Sequence, residues 1–111
     1  MWGVVTPEEY RELVLQLVER IPPGRVMTYG AIAEYLADVS GRCSARQVGT
    51  IMARYGGGVP WHRVVNSAGR LPPGHERRAA DLLAAEGVEL RSGRVIIQTT
   101  SWYPEDHTSG R

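Results

Sequence analysis

Three times in its first 55 residues the chain sets a hydroxyl residue directly before an apolar pattern of helical period. Thr6-Pro7-Glu8-Glu9 is the strongest of these starts. Thr6 can cap, Pro7 suits the first helical position, and Glu9 completes a capping box. Tyr10, Leu13, Val14, Leu17, Val18 and Ile21 follow as one apolar stripe, and Pro22-Pro23-Gly24 stops it. Thr28 can cap a second, shorter helix with Ile32, Ala33 and Leu36 on its buried face; Asp38 to Arg42 reads as a turn. Ser44 can cap a third, with Val48, Ile51 and Met52 inward and Gly56-Gly57-Gly58 as its end. Two short helices joined by a tight turn predict a helix-turn-helix.

The second half is more broken. Arg63-Val64-Val65-Asn66 reads as a short strand, followed by a turn at Ser67-Ala68-Gly69 and a break at Pro72-Pro73-Gly74. Glu76 to Glu86 predicts a fourth helix with Ala79, Leu82 and Leu83 inward and Gly87 as the stop. Val88-Glu89-Leu90 and Val95-Ile96-Ile97 around Ser92-Gly93 predict a hairpin, a wing. The fold class expected is therefore mainly α with a small β wing, a winged helix-turn-helix. With 111 residues, one domain over 1–104 is expected. The tail, 105–111, is expected to be disordered.

Charge distribution says more than net charge, which is only +1. Residues 40–78 hold Arg42, Arg46, Arg54, Arg63, Arg70, Arg77 and Arg78 against the single acid Glu76. A basic middle in a near-neutral chain is the footprint of nucleic-acid binding, or else a solvated basic face. All 13 basic residues are Arg, the side chain best suited to phosphate forks and stacking. No apolar run approaches the roughly 18 residues of a membrane span. The start, Met1 to Val5, has no basic n-region or cleavage site and is not expected to act as a signal peptide. One cysteine, Cys43, excludes an internal disulfide and suits a reducing cytoplasm. No Cys/His cluster has metal-ligand spacing, and no cofactor is expected.

The most specific segment is Pro60-Trp61-His62-Arg63-Val64-Val65-Asn66-Ser67. Here the chain resembles the O6-alkylguanine-DNA alkyltransferases, which carry Pro-Cys-His-Arg-Val and use the Cys as alkyl acceptor. Trp61 at the Cys position is similar to the alkyltransferase-like proteins, the relatives that bind the lesion without repairing it. The resemblance extends through Ile21-Pro22-Pro23-Gly24-Arg25-Val26-Met27-Thr28-Tyr29-Gly30-Ala31-Ile32-Ala33, Ser44-Ala45-Arg46-Gln47-Val48-Gly49 and Leu83-Ala84-Ala85-Glu86-Gly87, in order over residues 8–97. The fold that this resemblance implies is like that of the C-terminal domain of the alkyltransferases.

The resemblance implies a base-flipping protein whose recognition helix enters the minor groove of duplex DNA. Arg46 would insert into the base stack, and Tyr29 would press on the neighbouring phosphate. Ser44 and Thr28 would belong to the DNA-facing surface. Trp61 and Val64 would line the lesion pocket, supported by His62 and Glu86 as a buried hydrogen-bonded pair. The physics agrees: flipping costs a few kcal/mol, a planar guanidinium can plug the gap, and an aromatic wall favours an alkylated purine. Dealkylation requires an activated thiolate, and indole is no alkyl acceptor, so no enzyme activity and no catalytic residue is expected. The implied role is to flag O6-alkylguanine for nucleotide excision repair proteins, as a monomer. Arg63 reads equally as a phosphate contact or an internal ion-pair partner. Arg70 lies near the position where some relatives use a further Arg on the alkylated base, out of clean register. Pro72-Pro73-Gly74 departs from the enzymes' usual Gly-rich ending, which would widen the pocket for bulky adducts. The competing readings are a residual methyltransferase using Cys43, and a winged-helix DNA-binding protein without lesion specificity.

Overall fold

The computed structural model describes residues 5–104; the expected tail over 105–111 and the first four residues lie outside that range. Helix α1 (Pro7–Arg20) starts on the capping box. The Thr6 hydroxyl accepts from the Glu9 N–H at 3.1 Å and the Glu9 carboxylate accepts from the Thr6 N–H at 2.8 Å. Strand β1 (Met27–Thr28) leads directly into α2 (Tyr29–Ser40), where the Thr28 hydroxyl accepts from the Ala31 N–H. Ser44 does the same for α3 (Ala45–Tyr55), accepting from the Gln47 N–H. One correction applies here: Asp38 to Ser40 belong to the last turn of α2, not to the connecting turn. Ser40 is fully buried, its hydroxyl donates to the Leu36 carbonyl at 2.6 Å, and Gly41 closes the helix at φ 72.

Strand β2 (Val64–Val65) follows a 3₁₀ turn at Trp61–Arg63. It is half the expected length, because Arg63 is spent in the turn and Asn66 opens the next one. The Asn66 side-chain oxygen accepts from the Ala68 and Arg70 N–H groups at 2.9 and 2.8 Å. Helix α4 (Glu76–Ala85) precedes β3 (Leu90–Arg91) and β4 (Arg94–Val95), an antiparallel wing turned by Ser92 at φ 53 and Gly93 at φ 76. Positive φ at both central residues is the twist-matched hairpin turn. Ile97, expected in the wing, instead begins the short helix α5 (Ile97–Thr100). Trp102 then donates its N–H to the Val26 carbonyl at 2.8 Å and packs on the core.

The core has two halves. Tyr10, Val14, Ile32, Val48 and Ile51 bring α1, α2 and α3 together. Val26, Leu71, Ala79, Leu83 and Val95 join α4 to the wing. The seam is the parallel pair β1–β2, Met27 opposite Val64 and Thr28 opposite Val65. Period two sends Val64 into the first half and Val65 into the second. This short pairing, which local sequence pattern does not announce, places the start of α2 beside the Trp61 turn. The result is a winged helix-turn-helix, mainly helical with a small wing.

Candidate nucleic-acid interface

Helix α3 turns Val48, Ile51 and Met52 inward, which leaves Arg46, Thr50 and Ala53 exposed. Ala45, Gly49 and Ala53 recur every fourth residue, so one stripe of this helix carries nothing longer than a methyl group. A slim helix face is what a narrow groove admits. Beside it runs an open groove of about 1310 Å³, bordered by Tyr29, Arg46, Gly49, Trp61 and Arg70, and reaching Pro72, Pro73 and the wing turn at Ser92-Gly93.

Tyr29 begins α2 with its ring beside Gly49, in van der Waals reach of where a Cβ would stand. Burial pushes its phenol above the usual range, so the hydroxyl stays neutral. Trp61 packs against both halves of the core while keeping part of its indole on the groove. His75 and His62 meet the indole edge-on at 5.8 and 6.0 Å between ring centres. Gly56 is buried behind this wall: a Cβ there would lie 3.0 Å from the Met52 methyl, a tight contact, and 3.7 Å from the Trp61 Cβ, an ordinary one. The three glycines form the 3₁₀ turn that ends α3.

Behind Trp61 lies a polar knot centred on Glu86. His62 Nε2 is 2.8 Å from Glu86 Oε2, and Arg63 Nη2 donates to the same oxygen at 2.7 Å. The Gly24 N–H donates to Oε1 at 2.9 Å, and Arg63 Nη1 donates to the Ile21 carbonyl at 2.8 Å. Burial by itself raises the carboxyl's pKa; the hydrogen bonds from Arg63, His62 and Gly24, with the guanidinium charge, outweigh it and hold Glu86 at about 2. Of the two readings of Arg63, the structure has the internal one: it ties the end of α4 to the end of α1.

Tyr29, Arg46 and Trp61 converge on one groove. Val64 does not, and the expectation that it lines the pocket is corrected: it is fully buried, held in the core by its pairing with Met27. His62 and Glu86 likewise stand behind the wall rather than on the groove. The hydroxyls of Thr28 and Ser44 are engaged as helix caps, and Ser44 borders the opposite side of α3. Cys43 is exposed and borders neither groove. Arg78, counted in the basic middle, and Arg94, to which nothing in the sequence points, stand on the groove rim. The sequence reading passed over the Ala45-Gly49-Ala53 stripe, which a search for small residues at helical spacing finds. Arg70 reaches the groove through the Asn66 turn and a bridge between its backbone and that of Arg94. Among the described residues no helix is long and apolar enough to cross a membrane.

Comparisons with known proteins agree with this geometry. Residues 9–88 match the family model of the 6-O-methylguanine DNA methyltransferase DNA-binding domain. The chain is 38% identical over 101 residues to the DNA base-flipping protein of Escherichia coli K12, covering 86% of this chain and 75% of that one. It is 42% identical over 89 residues to alkyltransferase-like protein 1 of Schizosaccharomyces pombe, covering 75% and 80%. A crystal structure of S. pombe Atl1 with damaged DNA containing O6-carboxymethylguanine superposes with a TM-score of 0.75 at 35% identity, over 90% of this chain and all of that one. A second S. pombe ATL structure in complex with DNA gives 0.72 at 34% identity. The chain belongs to the alkyltransferase-like proteins, built on the DNA-binding domain of the 6-O-methylguanine DNA methyltransferases.

Proposed function

We propose that this protein binds O6-alkylguanine in duplex DNA by docking α3 in the minor groove and flipping the damaged nucleotide into the groove beside Trp61, without transferring the alkyl group. The observation that carries this is the convergence of Tyr29, Arg46 and Trp61 on one groove bordered by the slim face of α3. Arg46 fills the gap in the stack, where a planar guanidinium replaces lost base contacts. Tyr29, neutral and beside the helix, braces the phosphate at which the backbone rotates. Trp61 offers the base an aromatic surface, and the groove continues toward Pro72 and Pro73, where an alkyl substituent extends. The S. pombe relative crystallised on O6-carboxymethylguanine DNA supports the same ligand class here.

Alkyl transfer needs a thiolate beside the base. Trp61 stands where the enzymes' motif has Cys, and His62 and Glu86 are engaged with each other and with Arg63. The bound lesion therefore remains, and its fate passes to nucleotide excision repair proteins, with the protein acting as a cytoplasmic monomer. Titration of a duplex carrying one O6-methylguanine, against its guanine counterpart, tests the reading at fixed salt. Wild type is expected to prefer the lesion and Arg46→Ala to lose that preference. Equal affinities for both duplexes would leave only a general DNA-binding winged helix. An alkyl mass appearing on the protein after incubation would make it a methyltransferase using Cys43.

A further inference from the structure

Helix α3 is a ridge between two troughs, and Arg46 and Thr50 border both. The Thr50 hydroxyl donates to the Arg46 carbonyl at 3.2 Å, so this crest is one piece of helix. The trough on the Trp61 side receives the nucleotide in the reading above. The other, about 550 Å³, lies between the N-terminal part of α1 and the length of α3, with Arg11, Ser44, Gln47 and Tyr55 on its walls. Lesion recognition makes no use of it.

Its chemistry suits an anion. The Arg11 guanidinium carbon stands 4.4 Å from the centre of the Tyr55 ring. Tyr55 is 45% exposed, so its ring serves as a shelf at the surface and not as core packing. Among the described residues no carboxylate lies within ion-pair distance of Arg11; Glu8 is the one acid on the trough wall. An arginine propped on an aromatic face, with no acid partner, keeps its N–H fork for a phosphate.

Duplex geometry names the occupant. A minor groove is bounded by two backbones only about 6 Å apart, and a helix with its side chains is about 10–12 Å across. A ridge pressed into that groove must meet both backbones, one on each flank. With the lesion strand along the Trp61 trough, the opposite strand falls along the other. We propose that Arg11, held on Tyr55, contacts a phosphate of the strand opposite the flipped nucleotide, through the trough between α1 and α3. This rests on the minor-groove reading of α3. The contact adds affinity for any duplex and holds the undamaged strand while its partner is distorted.

The test is the salt dependence of binding to an undamaged duplex, which is read separately from lesion preference. One lost phosphate contact lowers the slope of log K against log salt by about 0.9. Arg11→Gln, a fair helix former at a half-buried site, is expected to lose that much. Its affinity then falls about 3-fold less than that of wild type between about 50 and 200 mM salt. Arg11→Lys should restore most of the slope, and the ratio of lesion to undamaged affinity should stay at the wild-type value. Independently of any variant, single methylphosphonates scanned along each strand should weaken wild-type binding at one or two positions opposite the lesion. Those positions should lose their effect in Arg11→Gln. An unchanged slope, or coupling to the lesion strand only, overturns the proposal. A loss of binding cooperativity without a change in slope also overturns it, and places a second copy of the chain in the trough.

Discussion

Replacing Glu86 by Gln removes one charge from the polar knot behind Trp61 and almost no volume. The wild-type carboxyl is held at about 2 against an ordinary 4.5, a stabilisation of about 3 kcal/mol at 1.36 kcal/mol per pH unit. Its side chain is 14% exposed and near the surface, so solvent screens part of this and the figure is an upper bound. The variant also leaves the Arg63 guanidinium, equally enclosed, without its counter-charge; breaking one side of a buried pair costs about 3–5 kcal/mol. Both routes reach the same size, a large part of the roughly 5–15 kcal/mol that holds a domain together. Chemical denaturation at neutral pH should show the loss as a lower midpoint. The pH dependence gives a second reading. A carboxyl with a depressed folded-state pKa contributes in full above the unfolded value near 4.5 and loses its contribution as pH falls toward 2. About 2 kcal/mol of the wild-type stability should therefore vanish by about pH 3, and Glu86→Gln, which has no group to titrate, should lack that part of the fall. Equal midpoints at neutral pH, or parallel acid profiles for the two proteins, would refute the reasoning.

Two further perturbations probe how the groove is positioned. Gly69 sits at φ 82, and a Cβ there would collide with the Val95 carbonyl oxygen. Gly69→Ala should cost more than about 2 kcal/mol in a melt. It should also weaken lesion binding by pushing the Arg70 loop from the wing; full stability would show that the loop is not locked to β4. Thr28→Ala should lose about 1 kcal/mol through the α2 cap, and Thr28→Ser should recover it. Failure of Ser to recover the loss would mean the hydroxyl does more than cap.

Much of the scaffold was legible because caps and stops act locally. Thr6, Thr28 and Ser44 each bond an N–H three residues ahead, so a single sequence shows where the helices of the motif begin. The end of α2 was read too early because Ser40, polar in sequence, is buried and bonded back to Leu36. The strand and the wing were drawn too long because Asn66 and Ile97 alternate plausibly with their neighbours. One is used by a side-chain turn and the other by α5. The grouping of Tyr29, Arg46 and Trp61 is implied by the motif blocks; the same resemblance implies Val64 on that wall, where the structure has it in the core.

By itself, then, the chain's sequence determined the helix-turn-helix, its basic middle and the tryptophan at the heart of the motif. Each is written in residues only a few positions apart, or in a single side chain. Tertiary structure alone decided that Val64 is core and that Arg63 points inward. Those outcomes rest on a two-residue parallel pairing between distant segments, and on a desolvated carboxylate that gathers donors from two distant places in the chain. Burial and long-range pairing have no local period from which to be read.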